Sequence, residues 1–277
     1  MFLEHFGFTR RPFTREMPTE ALLAMPPFEE LAVRLQYMVT SRAFGLVTGE
    51  VGSGKTTALR ALYDQLDKVR HRFIYIADSS LNPRAFYRDV LDQLDLPVPY
   101  HSREMKRQFE QAILTAYQQE GKQTVIVLDE AHLLSAKMLQ EVRFILNFHL
   151  DAAAPLTFIL VGQAELRGML RLKSFEAIVQ RVQMRYHLAG LDQEGVAAYI
   201  EHHLRYAGAT RPIFAEQAVQ AIATLTRGLP RMINNLAAAC LLDACSRGQA
   251  LVDEATVQRA AAELQETTGL AAVGSPW

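Results

Sequence analysis

Gly49-Glu50-Val51-Gly52-Ser53-Gly54-Lys55-Thr56 follows directly on an apolar run at 44–48 and opens a segment with helical periodicity. A strand, a glycine-rich turn and a helix in that order leave few folds open to the chain. The glycines let the backbone curl until its N–H groups point inward, and the helix behind them aims its positive end at the same point. The result is a cradle for phosphate oxygens, the G-x-x-x-x-G-K-[ST] pattern in the setting it requires. In such a loop Lys55 reaches the β- and γ-phosphates of a nucleotide, and the Thr56 hydroxyl sits on Mg²⁺.

The rest of the chain agrees with that start. Short apolar runs at 44–48, 73–77, 125–128 and 157–161, and a weaker one at 182–187, alternate with helix-period segments, as in a parallel sheet covered by helices. Asn82 followed by Pro83 reads as an N-cap and first-turn proline. Beyond Leu191 the strands stop, and helices are expected at 193–206, 215–227, 230–246 and 253–264, with Gly208, Gly228 and Gly248 as terminating glycines. The expected division is an α/β part with an amino-terminal extension over 1–190, a helical part over 191–265, and a loose tail over 266–277 that carries Trp277. A length of 277 residues suits two domains, and 49% hydrophobic against 21% charged residues excludes wholesale disorder. Cys240 and Cys245 fall on different faces of one helical pattern and read as reduced core residues. No apolar run is long enough for a membrane span, and Glu4, His5, Arg10 and Arg11 interrupt the amino terminus where a signal peptide is continuously apolar, so the expected location is cytoplasmic.

Three further sites carry chemistry. The strand at 124–128 ends in Asp129-Glu130, and its spacing suits a place beside the loop's own strand in the sheet. Asp129 there would hold the Mg²⁺ hydration shell, while Glu130 polarises a water for in-line attack on the γ-phosphorus. The alternative is that the pair merely caps the next helix. Gln163 stands at the carboxyl end of another strand, where ligands gather in open α/β sheets, and could bond the γ-phosphate or the attacking water. Pro230 fixes Arg231 in the first turn of a helix whose buried stripe is Ile233, Leu236, Ala237 and Cys240. Arg181 and Arg185 stand just before the helical part.

These residues resemble the AAA+ superfamily of P-loop NTPases, and within it the branch related to general secretion pathway protein A and the transposition ATPases TnsC and MuB. Three segments carry the resemblance: Phe6-Gly7-Phe8-Thr9-Arg10-Arg11-Pro12-Phe13, the loop at 49–56, and Gly228-Leu229-Pro230-Arg231-Met232-Ile233-Asn234-Asn235-Leu236. The resemblance implies an α/β core with a carboxyl-terminal helical lid, ATP or ADP bound by residues 49–57 (Gly49 to Thr56, with Thr57) and Asp129, and Mg²⁺ on Thr56 and Asp129. It implies catalytic roles for Glu130, for Gln163 as sensor 1, for Arg231 as sensor 2, and for Arg181 as an arginine finger acting on a neighbouring subunit, with Arg185 as the alternative finger. Phe8 and Phe13 either help form the adenine pocket or are core anchors packed on the lid.

A finger in trans implies a homo-oligomer, a hexameric ring or a helical filament. Relatives in secretion continue into a membrane span and a wall-binding module, and a chain ending soon after its lid is expected to be a transposition helper that binds double-stranded DNA without sequence preference and recruits a transposase. A switch ATPase for a secretion or envelope complex, without DNA, is the alternative, and a nucleotide-dependent scaffold with negligible turnover is a third. The charge balance is silent between them, with 29 Lys+Arg against 30 Asp+Glu. Arg84, Arg88, Arg103, Lys106 and Arg107 are the candidate DNA contacts, interleaved with Asp89, Asp92, Asp95 and Glu104. Only an assembly that gathers such cations along one backbone turns them into a DNA surface.

Overall fold

The computed structural model describes residues 2–14, 16–78, 80–147 and 154–268, which fall into two compact units. The α/β unit, 28–51 with 55–188, holds α2 from residue 28 (Pro26–Thr40), β1 (Phe44–Gly49), α3 (Lys55–Gln65), β2 (His71–Ile76), α4 (Pro83–Gln93), α5 (Ser102–Gln118), β3 (Gln123–Leu128), α6 (Ala136–Ile145), β4 (Leu156–Gly162), α7 (Glu165–Leu170), α8 (Glu176–Val179) and β5 (Met184–Leu188). Among the described residues the sheet has five strands in the order β2-β3-β4-β1-β5, and every pairing is parallel.

That order corrects one expectation. The Asp129 strand does not neighbour the loop's strand, because β4 lies between β3 and β1. The carboxylate still arrives beside the loop, since all the strands run the same way and discharge their ends along one edge.

Alternation along the strands builds two cores. Phe44, Leu46, Ile74, Ile76, Ile126, Leu128, Phe158 and Leu160 face one side, against Phe86, Val90 and Leu91 of α4 and Phe109 and Ile113 of α5. Val47, Val125, Val127, Ile159 and Val161 face the other, against Leu31, Leu35 and Met38 of α2 and Leu59 and Leu62 of α3. A sheet buried on both faces needs continuous apolar strands, and β3 and β4 are such runs. Asn82 caps α4 as expected, its side-chain oxygen accepting from the Ala85 N–H at 3.1 Å, with Pro83 in the first turn.

The helical unit comprises 2–27, Gly52–Gly54 and 189–268. Its carboxyl-terminal helices are α9 (Gln193–Tyr206), α10 (Glu216–Thr226), α11 (Pro230–Ser246) and α12 (Glu254–Thr268). Gly208, Gly228 and Gly248 take the positive φ expected of terminating glycines. Because α12 runs to Thr268, residues 266–268 of the expected tail are helical, and 269–277, Trp277 included, lie outside the described residues.

The amino-terminal segment, expected with the α/β part, packs in the helical unit instead. Helix α1 (Phe2–Phe6) leads into a strap whose Thr9 N–H donates to the Ala207 carbonyl at 2.8 Å. Phe6, Phe8 and Phe13 are buried with Val196, Ile200, Leu204, Phe214 and Leu236. Of the two readings left open for Phe8 and Phe13, core anchoring is the one observed. Phe13 stacks on the His203 ring at 5.2 Å between centroids, and burial pushes the His203 pKa down to about 4, so the imidazole is neutral in the native unit. Cys240 is buried and Cys245 half-buried, both free thiols, and burial pushes the Cys240 pKa up to about 12.

Candidate functional site

The six residues of β1 are all buried and deliver the chain into the glycine loop, and α3 begins at Lys55 itself. Gly52 and Gly54 hold φ of +80° and +104°, the left-handed region that glycine enters without steric cost. A Cβ on Gly52 would lie 2.6 Å from Cβ of Arg231, and the Arg231 N–H donates to the Gly52 carbonyl at 3.2 Å. Gly52 is therefore required by its neighbour as well as by its dihedral. Lys55, 9% exposed as a residue, donates from its ammonium to the carbonyls of Gly49 at 2.8 Å and Glu50 at 2.9 Å. The Ser53 hydroxyl is buried with no hydrogen-bond partner. A desolvated ammonium and an unsatisfied hydroxyl in a loop of positive-φ glycines fit an incoming phosphate.

Thr56, in the first turn of α3, and Asp129, just past β3, come together: the Thr56 hydroxyl donates to Asp129 Oδ2 at 3.2 Å. The other carboxylate oxygen, Oδ1, accepts the Glu130 N–H at 2.8 Å. A hydroxyl and a carboxylate oxygen at this separation are a suitable donor set for Mg²⁺, which takes hard oxygen ligands and keeps several waters. Among the described residues no three His, Cys, Asp or Glu side chains gather into a metal-binding group.

Tyr75, which the sequence reading passed over, also belongs here. Its hydroxyl donates to Asp129 Oδ2 at 2.7 Å, and burial together with that bond raises its pKa, so it remains a donor. Register puts it there: Tyr75 pairs with Val127, two residues short of Asp129, on an edge strand.

Glu130 takes φ +52° and ψ +31°, a left-handed conformation uncommon outside glycine and concentrated at functional sites. Its side chain is half exposed, and it opens the short 3₁₀ turn Ala131–Leu133 rather than capping an α-helix with its carboxylate. Gln163 is half-buried immediately after β4. Arg181 lies between α8 and β5; Arg185 lies in β5, exposed, and donates to the Val179 carbonyl at 2.8 Å. Arg231 is exposed in the first turn of α11, after Pro230, as expected.

Arg84 and Arg88 line a cavity of about 520 Å³ with Asn82, Val98 and Tyr100. Three of the five expected DNA contacts already have work in the fold. Arg84 donates to the Tyr100 carbonyl at 3.0 Å, Arg88 pairs with Asp89 at 2.9 Å, and Lys106 pairs with Glu141 at 3.1 Å. Arg103 and Arg107 are exposed.

Residues 38–170 match the AAA domain family. Superposition on Cdc6p from Pyrobaculum aerophilum gives a TM-score of 0.70 at 17% identity, covering 95% of this chain and 73% of that one. The chain has the fold of the AAA+ P-loop NTPases. It is also similar to the Aeropyrum pernix ORC1 protein solved in complex with DNA, with a TM-score of 0.67 at 16% identity over 90% of this chain and 68% of that one. In sequence it is 33% identical to General secretion pathway protein A of Aeromonas hydrophila over 267 residues, 95% of this chain. It spans 48% of the length of that relative. Among the described residues no helix is long and apolar enough to cross a membrane.

Proposed function

We propose that the protein hydrolyses ATP at the edge where β1, β3 and β4 end, and that its ATP-bound form assembles into a ring or filament on duplex DNA to act as a transposition helper. One observation carries the hydrolytic reading: Thr56 and Asp129 meet at 3.2 Å, with Glu130 the next residue along. Lys55 binds the β- and γ-phosphates, and residues 49–57 enclose them with backbone N–H groups. Mg²⁺ on Thr56 and Asp129 supplies charge neutralisation on the phosphates when bound. Glu130 takes the proton of the attacking water, Gln163 orients that water or the γ-phosphate, and Arg231 reports the γ-phosphate to the helical unit. Arg181, with Arg185 as alternate, acts on the nucleotide of a neighbouring subunit. Arg181→Ala should therefore bind ATP normally yet lose turnover by about 10³-fold, the scale of an arginine finger. Mixing it with Lys55→Ala, which lacks nucleotide affinity but keeps its own finger, distinguishes cis from trans: activity restored in the mixture requires a finger supplied by the partner subunit.

DNA binding rests on the shared architecture with an ORC1 protein whose structure holds DNA and on Arg84, Arg88, Arg103, Lys106 and Arg107. Since two of those five cations already pair with carboxylates, the affinity must come from repetition along an assembly. Fluorescence anisotropy with labelled duplex should give tighter binding with a nonhydrolysable ATP analogue than with ADP, weakening steeply with salt and indifferent to sequence. Equal binding in both nucleotide states would overturn it. The 33% identity to General secretion pathway protein A favours a second reading, a cytoplasmic-side switch for assembling a secretion or envelope complex. Under that reading ATP drives assembly of the protein with no DNA present, and added duplex changes nothing.

A further inference from the structure

His132 sits between the two ends of the catalytic edge. The turn that starts at left-handed Glu130 curls back through Ala131–Leu133, which brings the His132 ring under the end of β4. Its Nδ1 lies 3.6 Å from Glu130 Oε2 and 3.4 Å from the backbone nitrogen of Gln163. The side chain is only 8% exposed, against 47% for Glu130. Gly162 makes the approach possible: a Cβ there would stand 3.1 Å from the His132 nitrogen and 3.4 Å from Nδ1.

One ring nitrogen thus faces two partners with opposite demands. The Glu130 carboxylate needs a hydrogen on Nδ1, whereas the Gln163 N–H needs a lone pair there. In the neutral imidazole the two tautomers satisfy one partner each. The Gln163 N–H bond, long at 3.4 Å, is the one made, and Glu130 Oε2 stands just beyond hydrogen-bond reach at 3.6 Å.

We propose that His132 is a positioning residue for Glu130, coupling the carboxylate to the start of the Gln163 loop. This rests on the reading of Glu130 as the base. A displacement at Gln163 on meeting a γ-phosphate changes which partner Nδ1 serves, and with it whether Glu130 is held back or released toward the water. His132 itself touches neither substrate nor metal and acts only through Glu130. The dependence is one of geometry: a base held an ångström out of line loses on the order of 10²-fold in rate.

The test uses two substitutions that separate packing from polarity. His132→Phe keeps a ring of similar size without the nitrogen, and His132→Asn keeps a polar atom near the Nδ1 position. The expected result is that kcat for ATP falls about tenfold to 10²-fold in His132→Phe, with the dissociation constant of a fluorescent ATP analogue within about twofold of wild type. His132→Asn should recover most of that rate. In the Glu130→Gln background His132→Phe should cause no further loss in single-turnover hydrolysis, because the group it positions is gone. Three results overturn the proposal: a fast His132→Phe, a His132→Asn as slow as His132→Phe, or an undiminished effect of His132→Phe in Glu130→Gln. If Glu130→Gln alone hydrolyses ATP at the wild-type rate, the base assignment falls first and this coupling with it.

Discussion

Glu130→Gln is expected to bind ATP with wild-type affinity and to turn it over about 10²–10⁴-fold more slowly, the range that a positioned general base contributes. Glutamine is nearly isosteric, so the Glu130 N–H bond to Asp129 Oδ1 at 2.8 Å and the left-handed turn survive the change. What disappears is a carboxylate able to accept the proton of the attacking water. The phosphate cradle is untouched, because Lys55, Ser53 and the loop glycines lie on other segments. Because binding persists without turnover, any assembly driven by ATP should be trapped, and sedimentation of the variant with ATP should show larger species than wild type. Phosphate release at the wild-type rate would remove Glu130 from the mechanism, and negligible release by the wild type itself would leave a nucleotide-dependent scaffold.

Gly228→Ala should destabilise the helical unit by about 3 kcal/mol or more, placing it among the most damaging single substitutions in the chain. A Cβ at residue 228 would fall 1.8 Å from the Leu191 carbonyl oxygen and 2.6 Å from the Leu191 nitrogen, both backbone atoms that cannot swing aside. The same contact carries a hydrogen bond, Leu191 N–H to the Gly228 carbonyl at 2.8 Å. Backbone meets backbone again at Gly190, where a Cβ would stand 2.3 Å from the Arg227 carbonyl oxygen. Gly248→Ala is the control: φ is +67° there too, but nothing lies within 4 Å of the added carbon, so only the dihedral cost of about 1 kcal/mol applies. Thermal denaturation of the two variants should separate them widely. A Gly228→Ala protein melting with Gly248→Ala would mean that residues 190–191 and 227–228 are not packed as described.

Much of this was legible before any coordinates. The loop, the strand ending in Asp129-Glu130 and the Gly-x-Pro-Arg turn are local patterns, and local patterns survive in one dimension. β1 to β5 each fall within a few residues of their expected places, and α9 and α11 match their expected bounds. Strand order was less accessible: the insertion of β4 between β1 and β3 is a long-range choice that no window of sequence encodes. Tyr75 and His132 were passed over for the same reason. A tyrosine on an edge strand and a histidine two residues past a glutamate look ordinary until register sets one against Asp129 and Gly162 admits the other. The amino-terminal strap was placed in the wrong unit because its partner, Ala207 at the end of α9, lies at the far end of the chain. Opposite charges beside the expected DNA contacts were visible in the sequence; which carboxylates hold which cations was not.

The helical unit is built from both ends of the chain, with the whole α/β unit spliced between. Phe6, Phe8 and Phe13 emerge from the ribosome well before the surface that buries them, on Val196, Ile200, Phe214 and Leu236, has been made. At synthesis rates of 5–20 residues per second the three phenylalanines wait roughly 10–50 s in water. During that interval the α/β unit has every segment it needs to fold, so it is complete before the helical unit can close. The order of birth thus exposes an aromatic amino-terminal segment to whatever binds nascent apolar chain, and closure of the strap by α9 is the step that ends that exposure.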